Sequence, residues 1–96
     1  MTPEDKQLIA GYMGWAQYKY PPYYLNIKGD IESHHFDLND AGLCVQEIQK
    51  RDDWRNFLIV ARKLHKLEFD SQAIAWLFIA DNFFGAMAAW LKEEKK

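Results

Sequence analysis

Residues 73–91 read AIAWLFIADNFFGAMAAWL, and Asp81 and Asn82 are the only polar side chains among them. So apolar a stretch must leave water, whether into a bilayer, the domain's own core or another chain. Its length is close to the roughly 20 residues that span a membrane. Composition opposes that use: a central Asp costs about 2.5–3.5 kcal/mol on insertion, Asn adds to it, and alanine and glycine return little. Core or interface is therefore the reading, with no membrane association expected. Residues 73–80 fit a fully buried strand or the opening turns of one long helix, because periodicity does not separate the two. Asp81-Asn82 makes a good N-cap pair. The expectation is thus a strand over 73–80, then an amphipathic helix burying Phe83, Phe84, Met87, Trp90 and Leu91.

A chain of 96 residues supports one domain, spanning 1–96, and sits near the lower limit for folding without staples. Aromatic residues make up 16% of it, enough for a small core to be adequate, since each buries roughly 150–250 Å². Cys44 is the one cysteine, so no internal disulfide can form. The opening MTPEDKQ carries neither the charged nor the apolar region of a secretion signal, and a reducing cytoplasm is expected. The net charge of −2 offers no general attraction to nucleic acid, which is not an expected partner.

Helix signals open the chain. Thr2 can cap, Pro3 fits the first helical position, Asp5 is placed for a capping box, Leu8, Ile9, Tyr12 and Met13 form an apolar stripe, and Gly14 can stop the helix. The Pro21-Pro22 break and the alternation at Tyr23, Leu25 and Ile27 then predict a β-hairpin, 23–28 against 31–36, turning at Gly29-Asp30. Asp37 or Asn39 caps a second helix with Ala41, Cys44, Val45 and Ile48 inward. Asp52 and Asp53 look like caps of a third, in which Trp54, Phe57, Leu58, Ala61 and Leu64 follow helical spacing, and residues 68–71 form a connector. The predicted class is α+β: about four helices, a short antiparallel hairpin, and one further strand if 73–80 is extended.

No catalytic motif stands out. His34 and His35 are adjacent and would point to opposite faces of a strand, so they cannot easily share a metal ion with Asp37. Cys44 lies on an apolar stripe, and neither Ser33 nor Ser71 has a nucleophile's sequence context. No enzyme activity, cofactor or metal is expected.

Two surfaces are candidates for binding. Tyr18, Tyr20, Tyr23 and Tyr24 cluster around two prolines, and tyrosine supplies large contact area at low entropic cost. Packing against the helices would account for some of them. Separately, Arg51, Arg55, Arg62 and Lys66 fall within about 60° of one another if they share one helix. From Lys50 to Lys66 six residues are basic and two acidic, a local balance of +4 in an acidic protein. The plain reading is a solvated face whose long stems cover the core's edge. The sharper one is a patch for an acidic protein surface or a phosphate-bearing small ligand, since arginine matches phosphate well.

The order of these signals, with LIAGYMGW at 8–15 and DLNDAGL at 37–43 as local matches, resembles small uncharacterised proteins of tailed phages and prophages, some of them alpha-beta-alpha sandwiches. The resemblance implies no active-site residues. It implies a setting: a phage or prophage accessory protein in the bacterial host cytoplasm that binds and inhibits a host defence complex, or an oligomeric sponge that sequesters a nucleotide signal. The apolar run at 73–80 adds the expectation of a homo-oligomer.

Overall fold

The computed structural model describes residues 2–20, 22–66 and 77–94. Among them are four helices and a three-stranded antiparallel sheet, an α+β domain. Helix α1, Pro3–Met13, begins as its sequence dictates: the Thr2 hydroxyl accepts from the Asp5 N–H at 3.2 Å, and the Asp5 carboxylate accepts from the Thr2 N–H at 3.5 Å. Lys92 pairs with Asp5 at 2.8 Å and holds its carboxyl below the usual range. Gly14 ends α1 at φ +76, a backbone conformation that favours glycine, and a Cβ there would lie 2.9 Å from Cγ1 of the exposed Ile27 side chain, which would have to shift.

The sheet follows at once, in the order β1 (Ala16–Gln17), β2 (Tyr23–Leu25), β3 (Ile31–Ser33). Both strands of the hairpin start where expected but end three residues early, so Leu25 rather than Lys28 lies opposite Ile31 and the turn spans residues 26–30 instead of Gly29-Asp30 alone. Asn26 opens the turn by accepting the Lys28 and Asp30 N–H groups on its own side chain, at 2.9 and 3.0 Å, which ends β2 at Leu25. Beyond Ser33 the chain bends inward to Phe36, whose N–H donates to the Asp40 carboxylate at 2.7 Å. The third strand comes from Ala16–Gln17, directly after α1.

Helix α2, Leu38–Lys50, is capped by Asp37, whose carboxylate accepts the Asp40 N–H at 3.1 Å, and it buries Ala41, Cys44 and Ile48. Burial first, and the charge of Asp40 second, push the Cys44 thiol up to about 12, which keeps it protonated and inert. Helix α3, Trp54–His65, starts after a left-handed Asp52, and Asp53 sits at its N-cap. The Asp53 carboxylate does not cap; it accepts the Tyr12 hydroxyl at 3.2 Å and so ties α3 to α1.

Helix α4, Ala80–Glu94, packs on α1, α2 and α3 and is the centre of the core. Phe83, Phe84, Met87, Trp90 and Leu91 are buried as expected, and Ala86 and Ala88 join them because the helix is enclosed on several sides. Ring contacts run from the helices to the sheet: Phe57 to Phe83 at 5.4 Å, Phe83 to Phe84 at 5.3 Å, and Phe84 to Phe36 at 5.3 Å, with Phe36 against Trp15 and Tyr24.

The expected strand over 73–80 is corrected where it can be seen. Residues 73–76, like the connector 68–71, lie outside the described residues, and 77–80 form no strand. The helix starts before the Asp81-Asn82 pair, with the Phe83 N–H bonded to the Ile79 carbonyl at 2.9 Å. Asp81 therefore meets the helix's positive end from its first turn rather than from the cap. No helix among the described residues is long and apolar enough to cross a membrane.

Candidate functional site

The tyrosine segment is divided by strand alternation. Tyr23 pairs with Ser33, Tyr24 with Glu32 and Leu25 with Ile31, so Tyr23, Leu25, Ile31 and Ser33 share the outer face while Tyr24 and Glu32 face inward. Tyr24, 5% exposed, belongs to the core between Trp15, His34 and Phe36, and burial raises its phenol. It is therefore not part of the exposed tyrosine surface, and what remains of it at the surface lines a separate depression with Trp15, Gln17 and residues of α1. Tyr20 and Tyr23, at 61% and 41% exposure, stand edge to face with centroids 5.7 Å apart. Tyr18 is half-buried beside them, with the Lys19 ammonium 5.3 Å from its ring centre.

The loop carrying these rings is closed by its own backbone. The Tyr18 N–H donates to the Tyr23 carbonyl at 3.0 Å, the Tyr23 N–H to the Tyr20 carbonyl at 3.1 Å, and the Tyr20 N–H to the Tyr18 carbonyl at 2.6 Å. Lys19, at its apex, is held in the left-handed region at φ +55, a conformation with an energetic cost for a residue with a Cβ. Tyr18, Lys19, Tyr20, Tyr23 and Ile31 line one shallow depression. The result is an aromatic ledge with one cation, its described residues tied together by those three backbone hydrogen bonds.

The basic stripe does not survive as one surface. The chain breaks between α2 and α3, and Arg51 caps the end of α2 instead of sharing a helix with Arg55. Its guanidinium donates to the Tyr12 carbonyl at 2.7 Å and to Glu47 at 2.9 Å, and lies 4.2 Å from the centre of the Tyr12 ring. Helix α1 has no cation in its own last turn, and Arg51 supplies one. Arg55 is exposed, and Arg62 and Lys66 line a shallow depression with Ile59 and Lys63. Helix α3 packs on α2 and α4, whereas the ledge belongs to the sheet, so the two candidate surfaces rest on separate elements.

A buried polar cluster lies under the sheet around His34, which the sequence paired with His35 and Asp37 rather than with its actual partners Glu32 and Asp40. His34, 4% exposed, is stacked on Trp15 with centroids 3.6 Å apart and planes 10° from parallel. Its Nδ1 lies 2.8 Å from Asp40 Oδ1 and its Nε2 3.0 Å from Glu32 Oε1. Asp40, itself buried, also takes the Phe36 N–H, and Glu32 takes the Asn26 amide at 2.8 Å. That amide, and then His34, hold the Glu32 carboxyl below the usual range. Each ring nitrogen is thus within hydrogen-bond distance of a carboxylate. Neither nitrogen is open to a substrate, so the cluster joins β3 to the start of α2. The period-two spacing of Glu32 and His34 was the available signal; the reach to Asp40 was not legible, because it depends on the bend after β3. His35 is exposed, and among the described residues no group of three or more His, Cys, Asp or Glu side chains could hold a metal ion.

No family model, no curated protein and no solved structure matches this chain.

Proposed function

We propose that this chain is a non-enzymatic binding protein that holds a protein partner on the tyrosine ledge and the outer face of its sheet. The observation that carries the reading is the exposed edge-to-face pair Tyr20 and Tyr23 on a loop closed by three backbone hydrogen bonds. Exposed rings that are already positioned lose little conformational entropy on binding, and tyrosine is among the residues that dominate binding energies at interfaces. Ile31, 56% exposed beside Tyr23 on the same face, extends the apolar area. The resemblance to phage and prophage proteins supplies the setting: an accessory protein that inhibits a host protein complex in the bacterial cytoplasm.

Capture from host lysate with immobilised protein tests this. Tyr20→Ala and Tyr23→Ala, made separately, are each expected to weaken the captured complex by about tenfold or more while leaving the unfolding midpoint near the parent's. Arg55→Glu, on the other surface, serves as the contrast. Unchanged capture by both tyrosine variants would sink the assignment.

A second reading has one observation in its favour, the depression shared by Arg62, Lys63 and Lys66. Here a homo-oligomer sequesters a phosphate-bearing ligand, and exposed Phe78 and Ile79 supply apolar area for a second copy to cover. Native mass spectrometry separates the two readings. A nucleotide mass on a multimer supports sequestration, and ligand-free chain with a host protein attached supports the ledge.

A further inference from the structure

The hydrogen-bonding phase of the sheet fixes what the β3 edge, unpaired among the described residues, presents. The Asn26 N–H donates to the Asp30 carbonyl and the His34 N–H to the Pro22 carbonyl, both at 2.9 Å, and the register sets Tyr24 opposite Glu32 midway between these pairs. In an antiparallel ladder bonded pairs alternate with non-bonded ones, so Asp30, Glu32 and His34 turn their backbone groups toward β2. Ile31 and Ser33 turn theirs the other way, across the β3 edge of the three-stranded sheet. Two N–H and two C=O groups there form the template onto which an extended segment adds as a strand.

We infer that the partner binds by adding a strand to β3, and that the added segment alternates apolar residues with a Lys or Arg that faces Glu32. The inference rests on the protein-binding reading above and specifies its mode. On the outer face, apolar side chains of the added strand continue the surface of Tyr23 and Ile31. On the inner face they meet Glu32, which lines a groove with Asp30 and Glu47 as well as Lys28 and Lys50. Charge selects the occupant. A second copy docked antiparallel on Ile31–Ser33 would set Glu32 against the other copy's Glu32, or against its Asp30 with the register shifted one way; shifted the other way Glu32 would meet His34, which is buried and already bonded to the Asp40 and Glu32 of its own chain. Like charges directly opposite one another destabilise such a pair. A cationic segment of another protein turns the same position into an attraction.

The test uses the whole chain and an acetylated octapeptide of alternating Lys and Val, with its Glu-Val counterpart. The Lys-Val peptide is expected to bind the more tightly of the two and to slow amide hydrogen exchange at Ile31 and Ser33, with Tyr24 and Glu32 unaffected. Ser33→Pro removes an N–H that takes no part in the ladder to β2, a position where edge strands accept proline. It is expected to weaken binding by about tenfold or more, with Ser33→Ala near the parent. The inference is overturned by equal binding of the two peptides, by no binding of either, by exchange unchanged at Ile31 and Ser33, or by a concentration-dependent dimer that Ser33→Pro dissolves. If lysate capture is lost in Tyr23→Ala but kept in Ser33→Pro, strand addition fails while the ledge stands; if it is kept in both, the ledge fails too.

Discussion

His34→Ala is expected to be among the most damaging single substitutions in the chain, costing about 3–5 kcal/mol, because it leaves a buried Asp40 oxygen without its hydrogen-bond partner. It also opens a void beside Trp15, where the imidazole stacks at 3.6 Å. A domain of this length holds roughly 5–15 kcal/mol in total, so the variant would keep only part of its stability. In urea, where small domains lose about 1–3 kcal/mol per molar, its midpoint should fall by about 2 M. Glu32→Gln, at the exposed end of the same cluster, should cost under about 1 kcal/mol. Asp40→Asn should fall between, since its side-chain oxygen can still accept the Phe36 N–H. The double variant His34→Ala, Asp40→Ala should cost less than the sum of its parts, because the unpartnered buried oxygen is gone. If His34→Ala proves no more costly than Glu32→Gln, the cluster is not what joins β3 to α2.

The parts of this fold legible in the sequence are those governed by neighbours a few residues apart. The Thr2 and Asp37 caps, the Gly14 stop, the buried face of α2 and the apolar face of α4 all follow from local spacing. What escaped depended on partners distant in the chain. Arg51 looked like the first member of a basic stripe because a continuous helix was assumed. Its actual partner, the Tyr12 carbonyl, is thirty-nine positions earlier. Asp53 looked like a side-chain cap and is engaged by the Tyr12 hydroxyl instead. The onset of α4 was misplaced because Asp-Asn is a strong capping signal, yet Asp is equally welcome one turn inside, where its charge meets the same unpaired N–H groups.

Tyr24→Ala, the second large effect, is expected to cost about 3–5 kcal/mol by removing a buried ring from its packing against Trp15, His34 and Phe36. Tyr23→Ala, one residue away, should cost about 0.5 kcal/mol or less, because it empties a surface position. Comparable losses in the two variants would contradict the strand alternation from which the ledge is built. Tyr24→Phe separates ring from hydroxyl, and it should stay near the parent in both unfolding and capture, since the packing is kept. Capture then reads differently in each variant. A complex lost with Tyr24→Ala reports only a damaged fold, whereas one lost with Tyr23→Ala at full stability reports a contact. The composition of the segment could not draw that line, because four tyrosines around two prolines look alike in sequence. The pairing of Tyr23 with Ser33 and of Tyr24 with Glu32 draws it, sending one phenol ring to solvent and the next into the core.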